Sequence, residues 1–194
     1  MTTSFKRAAA AGFTLIELLI VVIILAIISA IAIPQFTSAT SDAQQSAADA
    51  NLAAVRNAIE LYRAQHAGNA YPGLKPSTGG SCTGGTEGIG GENSEEAFKD
   101  QLMYASDKDG RTCSIADATY RYGPYLRQGI PNNPFTDSNS VRMEDTGAKL
   151  EATTGPGKSW AYDTKSGQFI LDAKEEAIAS GNNGTPAPGD GVTP

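Results

Sequence analysis

Polar side chains are almost absent between Phe13 and Ile33: of these 21 residues only Thr14, Glu17 and Ser29 carry them. At ~1.5 Å per residue a helix of that length measures roughly 30 Å, the thickness of a bilayer's hydrocarbon core, so the run is long enough to span. Past Pro34 the pattern becomes a stripe, with Phe36, Ala39, Ala43, Ala47, Ala50, Ala54, Ala58, Leu61 and Tyr62 recurring mostly every three or four residues. No Gly or Pro interrupts residues 35–67, and Gly68 with Pro72 supplies a stop signal. The pattern predicts one long helix, apolar all round at first and striped afterwards. Pro34 removes a backbone donor and crowds the carbonyl four residues back, so a bend or local melting near Ala30 is expected. Two helices with a break at Pro34 are the alternative.

The stripe needs a partner, and the later chain offers short strand-like runs. Tyr120 to Leu126 is one. Ser159 to Leu171 reads as a hairpin, with Trp160 and Tyr162 alternating with polar residues, Thr164-Lys165-Ser166-Gly167 as the turn, and Gln168 to Leu171 returning. Ser94 to Ala105 reads as a short helix with Ser94 as N-cap, Glu95 and Glu96 in the first turn, and Phe98, Leu102 and Ala105 on one side. The fold class is therefore α+β: a long N-terminal helix packed on a small antiparallel sheet. The expected segments are a leader over 1–12, a transmembrane stretch over 13–33, an amphipathic continuation over 34–68 and an exported domain over 69–179. The tail 180–194, "SGNNGTPAPGDGVTP", lacks apolar groups to offset ordering entropy and reads as disordered.

Charge sets the orientation and removes one function class. Lys6 and Arg7 precede the apolar run and no basic residue follows until Arg56, which leaves the N-terminus in the cytoplasm and sends the bulk of the chain outward. The formal net charge is −6, so no basic surface dominates and binding to nucleic acid through its phosphates has little support. A secretory signal would be cut on the far side of the run, where Ala30 and Ala32 offer small residues. The unusual feature lies on the near side, where the small-residue stretch Ala8 to Gly12 ends in glycine just before the run. Cutting there would keep the anchor.

Glu17 sits in the first turns of a segment otherwise suited to hydrocarbon, where an ionised group is costly and usually has a partner and a function. Between Phe13 and Gln65 the basic residues are Arg56 and Arg63, both far along the helix. Cleavage after Gly12 would free an α-amino group on Phe13, and in packed, axially displaced helices that amine can meet the Glu17 carboxylate of a neighbouring copy. A displaced neighbour would leave a buried charge unmatched, so the pair would also select register. The alternative is that Glu17 snorkels to the headgroups or is protonated.

Gly12-Phe13-Thr14-Leu15-Ile16-Glu17 resembles the processing motif of type IV pilins and of the pseudopilins of type II secretion. The resemblance extends to Pro34, and more loosely to "NAIELYRAQHAGNAYP" and "YGPYLRQGIPNNPF", which are similar to the helix end and sheet entry of the major pseudopilin. It implies cleavage after Gly12 by a prepilin peptidase and methylation of Phe13. It further implies a single-pass inner-membrane precursor with its domain in the periplasm, and assembly with itself, an inner-membrane platform and other pseudopilins or pilins into a helical filament. In the secretion reading that filament helps to export folded proteins; a type IV pilus for adhesion or motility is the alternative. The Gly- and Ser/Thr-rich insertion Pro76 to Asn93 departs from the pattern, and the Asp-rich calcium loop of well-studied major pseudopilins is not found.

Cys82 and Cys113 are the chain's two cysteines, both in the part expected to leave the cytoplasm, where a disulfide persists. Two free thiols are the alternative, and a metal site is disfavoured because His66 is the one imidazole available. Asp107-Lys108-Asp109-Gly110 and Asp137-Ser138-Asn139 present oxygen ligands but complete no calcium loop, so both read as solvated turns. His66, near the end of the long helix, reads as a polar surface residue. Nothing in the spacing points to a catalytic arrangement, so the expectation is a structural protein without cofactor or metal.

Overall fold

The computed structural model describes residues 13–153 and 159–172, with the backbone alone at 32–34, 37 and 38. The leader with Gly12 and the tail 180–194 lie outside the described residues. The chain divides into two compact units, Met1–Ala43 and Gln44–Pro194.

Helix α1 runs over Leu15–Gln65. Ala30 and Pro34 are both helical, so neither the local melting nor the break occurs. Proline forfeits one backbone bond, whereas ending a helix would leave four carbonyls and starting another four N–H groups without partners. In the first unit the apolar side chains of α1 are exposed, from 49% at Leu19 and Val22 to 83% at Leu15.

In the second unit the buried line of α1 is Ala48, Val55, Ala58, Ile59 and Tyr62, with Leu52 half-buried and His66 buried just past its end. The expected stripe is corrected here: Ala43, Ala47, Ala50, Ala54 and Leu61 are exposed. Burial gain scales with apolar area, so the face carrying Leu52, Val55 and Ile59 turns inward in preference to one made mostly of alanine. After α1, a short 3-10 turn over Ala67–Asn69 contains Gly68 at φ 74°, a left-handed position that stops a helix most cheaply when it is glycine.

Helix α2 covers Glu95–Met103, with the Ser94 hydroxyl accepting from the Ala97 N–H at 3.0 Å. Ala105 lies beyond it, in the two-residue strand β1 (Ala105–Ser106), which pairs antiparallel with β2 (Thr112–Cys113). A second sheet holds β3 (Val141–Glu144), β4 (Trp160–Asp163) and β5 (Phe169–Leu171) in the order β3-β4-β5. β4 and β5 form the expected hairpin, whereas β3 runs parallel to β4, so the sheet is mixed and not antiparallel throughout. Tyr120 to Leu126 is a loop, with Tyr122 alone bridging to Ser106. Gly123 at φ 75° and Pro124, which has no N–H to donate, end any ladder there.

The core joins Val55, Ile59 and Tyr62 of α1 to Phe98 and Leu102 of α2 and to Val141, Trp160, Tyr162 and Phe169 of the sheet. The Phe98 and Tyr162 rings lie 4.2 Å apart and those of Trp160 and Phe169 5.3 Å. Gln101 is fully buried with its amide saturated: Oε1 accepts from Gly73 N–H, and Nε2 donates to the carbonyls of Lys75 and Gly110. The Gly-rich insertion is held to α2 by Asp100, whose Oδ2 accepts from the Ser77 hydroxyl at 2.7 Å and the Ile89 N–H at 2.9 Å.

Two carboxylates fix the sheet's ends. Asp163 takes the N–H groups of Lys165 and Ser166 on Oδ1 and that of Gly147 on Oδ2; burial alone would raise its pKa, but these bonds outweigh it and hold the carboxyl below its usual range. Asp172 is bound by Arg142 through Nε at 2.8 Å and Nη2 at 3.1 Å and by Thr153; again burial is outweighed and the pKa falls.

Candidate assembly site

The start of α1 is built by four residues. The Thr14 carbonyl accepts the N–H of Leu18 at 3.3 Å, which makes Thr14 the N-cap. Its hydroxyl accepts from the Glu17 N–H at 3.3 Å and donates to Glu17 Oε2 at 2.7 Å, while its own N–H donates to the same oxygen at 2.8 Å. This reciprocal arrangement is a capping box, Thr-Leu-Ile-Glu, and it places the carboxylate at the positive end of the helix dipole.

Glu17 is therefore hydrogen-bonded within its own chain. Thr14, which the apolar-run reading treated as an incidental polar residue, carries that role, and the threonine-to-glutamate spacing of three was the available signal. What Thr14 does not supply is positive charge, and among the described residues no ion pair reaches Glu17. Phe13, adjacent and 83% exposed, is the residue whose nitrogen cleavage after Gly12 would free.

Among the described residues no helix is long and apolar enough to cross a membrane. The part of the run with described side chains, residues 15–31, would measure roughly 26 Å as a helix, at the short limit of what a bilayer needs.

The remaining sequence-derived candidates separate cleanly. Cys82 and Cys113 form a disulfide with Cα atoms 5.4 Å apart. It ties the Gly-rich segment to β2. His66 is buried, not a surface residue as expected: its ring stacks on Tyr62 with centroids 3.7 Å apart. Asp107 serves a turn, accepting from the N–H groups of Asp109 and Arg111, and Asp137 occupies a left-handed turn position at φ 49°. Among the described residues no cluster of three or more His, Cys, Asp or Glu could hold a metal ion.

A capped acidic first turn, a run of exposed apolar side chains along the start of α1 and a disulfide-bonded α+β head define a class of protein: one whose N-terminal helix carries an apolar surface that the described residues leave uncovered. A family profile described as "Prokaryotic N-terminal methylation motif" matches residues 7–33. Over that N-terminal segment and beyond it the chain is similar to type IV pilus subunits and to a type II secretion core protein.

Three relatives illustrate that similarity. The chain is 49% identical over 59 residues to the type IV narrow pilus major component PilA5 of Thermus thermophilus, covering 30% of this chain and 51% of that protein. It is 35% identical over 103 residues to the type IV major fimbrial protein FimA of Dichelobacter nodosus, covering 51% and 66%. It is 36% identical over 67 residues to the type II secretion system core protein G of Pseudomonas aeruginosa, covering 34% and 46%. The chain thus spans about half the length of two of these relatives and just under two thirds of the third. No solved structure matches it significantly.

Proposed function

We propose that this protein is a structural filament subunit, not an enzyme, which waits in the inner membrane and assembles through α1. The single observation that carries this reading is the first unit of the structure: exposed apolar side chains from Leu15 to Ile31, headed by a carboxylate that is hydrogen-bonded but, among the described residues, meets no counter-charge. In water such a surface would aggregate, so lipid must cover it before assembly and neighbouring helices after it. Residues 13–33 supply the membrane anchor, Pro34 the point where α1 bends, and the head lies in the periplasm. Prepilin peptidase cuts after Gly12, Phe13 is methylated, and its new amine pairs with Glu17 of an adjacent copy.

The finer reading is a pseudopilin of type II secretion, supported by the mid-chain resemblance and by the similarity to a core protein G. A type IV pilus subunit is the second reading, favoured by the similarity to two pilus components. N-terminal mass analysis of the membrane form tests the common part: a chain beginning at methylated Phe13 is expected, and a filament whose subunits retain residues 1–12 overturns it. Deleting the gene tests the finer part. Loss of protein secretion without loss of long surface fibres is the expected result; loss of fibres with secretion intact assigns the protein to a pilus.

A further inference from the structure

The end of α1 rests on a buried polar contact that the filament reading does not use. His66, the chain's one histidine, is 6% exposed. Its Nδ1 lies 2.8 Å from the Tyr62 carbonyl oxygen and its Nε2 3.0 Å from the Ser106 hydroxyl. A carbonyl oxygen only accepts, so Nδ1 carries the ring proton and Nε2 of the neutral ring accepts from Ser106. Nearby, the Tyr125 hydroxyl donates to Gln65 Oε1 at 2.8 Å. Alongside, Ser106 and Tyr122 exchange backbone bonds of 2.9 and 3.1 Å, and the Ala67 N–H donates to the Lys108 carbonyl. One ring thus fastens the end of α1 to β1 and to the Tyr122–Tyr125 loop.

We propose that the His66–Ser106 contact is an acid-released clasp: a second proton on the ring frees β1 and the Tyr122–Tyr125 loop from the end of α1. Protonation turns Nε2 from acceptor into donor, so the Ser106 hydroxyl must reverse, and it places a cation where water barely reaches. The groups facing it from each packed element do not neutralise that charge. α1 presents Tyr62 and the loop presents Tyr122 and Tyr125, all neutral phenols. The turn after β1 presents Asp107, whose carboxylate is already engaged by Arg111 Nε at 3.2 Å and by two N–H groups. The segment after α1 presents Lys75, a like charge.

Burial is the largest influence and pushes the ring below its ordinary 6.5, against upward pulls from the Tyr62 carbonyl and Asp107. Because the folded value is depressed, the unfolded chain takes the proton first. The clasp therefore contributes fully above 6.5, and its contribution is lost as pH falls from there toward the folded value.

The test is an NMR titration of the full chain in detergent micelles, labelled at histidine, from about pH 7.5 to about 4.5, with amide-exchange protection of Ser106 and Tyr122 followed in parallel. The expected result is an imidazole midpoint below 6.5, with protection at both amides falling about tenfold across it while Ala161 of β4 holds. A midpoint at or above 6.5, or protection that stays level through it, overturns the proposal. The wild-type titration decides alone; His66→Gln, which cannot take the charge, should show no such fall, and an equal fall in that variant also overturns it.

Discussion

Opening the Cys82–Cys113 disulfide should weaken the head far more than the burial of Cys113 and the half-burial of Cys82 alone would suggest. The bridge spans a sequence separation of 31 residues, and the segment it closes holds most of the Gly-rich insertion. In the chain-entropy model, closing a loop of that size stabilises the folded state by about 3.7 kcal/mol at 25 °C, because the open denatured chain gains freedom that the bridged one lacks. Glycine enlarges that freedom. The segment is held in the folded state by hydrogen bonds as well, among them Ser77 and Ile89 on Asp100, Ser81 N–H on the Tyr120 hydroxyl, and the backbone bonds of Ser77, Thr86 and Gly88 with Thr112 and Ser114. For a chain of this size each kcal/mol moves the melting temperature by roughly 2–4 °C, so Cys82→Ser with Cys113→Ser should melt roughly 7–15 °C lower than the oxidised protein. Calorimetry or circular dichroism of the full chain in detergent, with and without reductant, measures this. A shift under about 2 °C would refute the reasoning, since it would mean that the denatured chain is already compact across this loop.

Further expectations follow from single contacts. In the filament reading Glu17→Gln keeps an oxygen for both Thr14 donors but carries no charge, so it should give normal membrane levels and little sheared filament; wild-type filament yield would remove the charge from the mechanism. Ser94→Ala removes the acceptor for the Ala97 N–H and should cost about 1 kcal/mol in a denaturant titration, with the m-value unchanged. The carboxyls of Asp163 and Asp172 are held below their ordinary 3.8, so their contribution is complete above that value and is lost as pH falls through their folded values. Acid unfolding monitored by Trp160 fluorescence should steepen there, and Asp172→Asn should flatten part of the slope.

What the sequence disclosed tracks how local each signal is. α1, the Ser94 cap, the Gly68 stop and the β4–β5 turn are written in neighbouring residues, and each lies where the pattern puts it. β3 was missed because four residues with one fully buried side chain make almost no pattern, and its parallel pairing with β4 depends on a distant segment. The stripe was misplaced for a related reason. Alanine recurs so often between Ala39 and Ala58 that apolar spacing alone fits two faces, and only the larger side chains decide between them. His66 looked exposed because one histidine near a helix end resembles a surface group until Ser106, forty positions on, is brought beneath it.

The Thr14–Glu17 cap changes how assembly can be driven. A carboxylate offers about four lone-pair sites, and Thr14 uses two of them, both on Oε2. On the proposed reading, cleavage after Gly12 would leave that cap intact, because Thr14 would remain an amide and only the nitrogen of Phe13 would become an amine. A processed subunit therefore need not break an internal contact to accept a neighbour's terminus; it adds a charged donor to a carboxylate already held in place. In that proposal the waiting subunit would be spared a bare acid in lipid, and the growing filament would gain what the cap cannot supply, a counter-charge. Polymer formation on this account is selected by charge balance at one fixed oxygen pair, with the apolar sheath of α1 supplying area but not register.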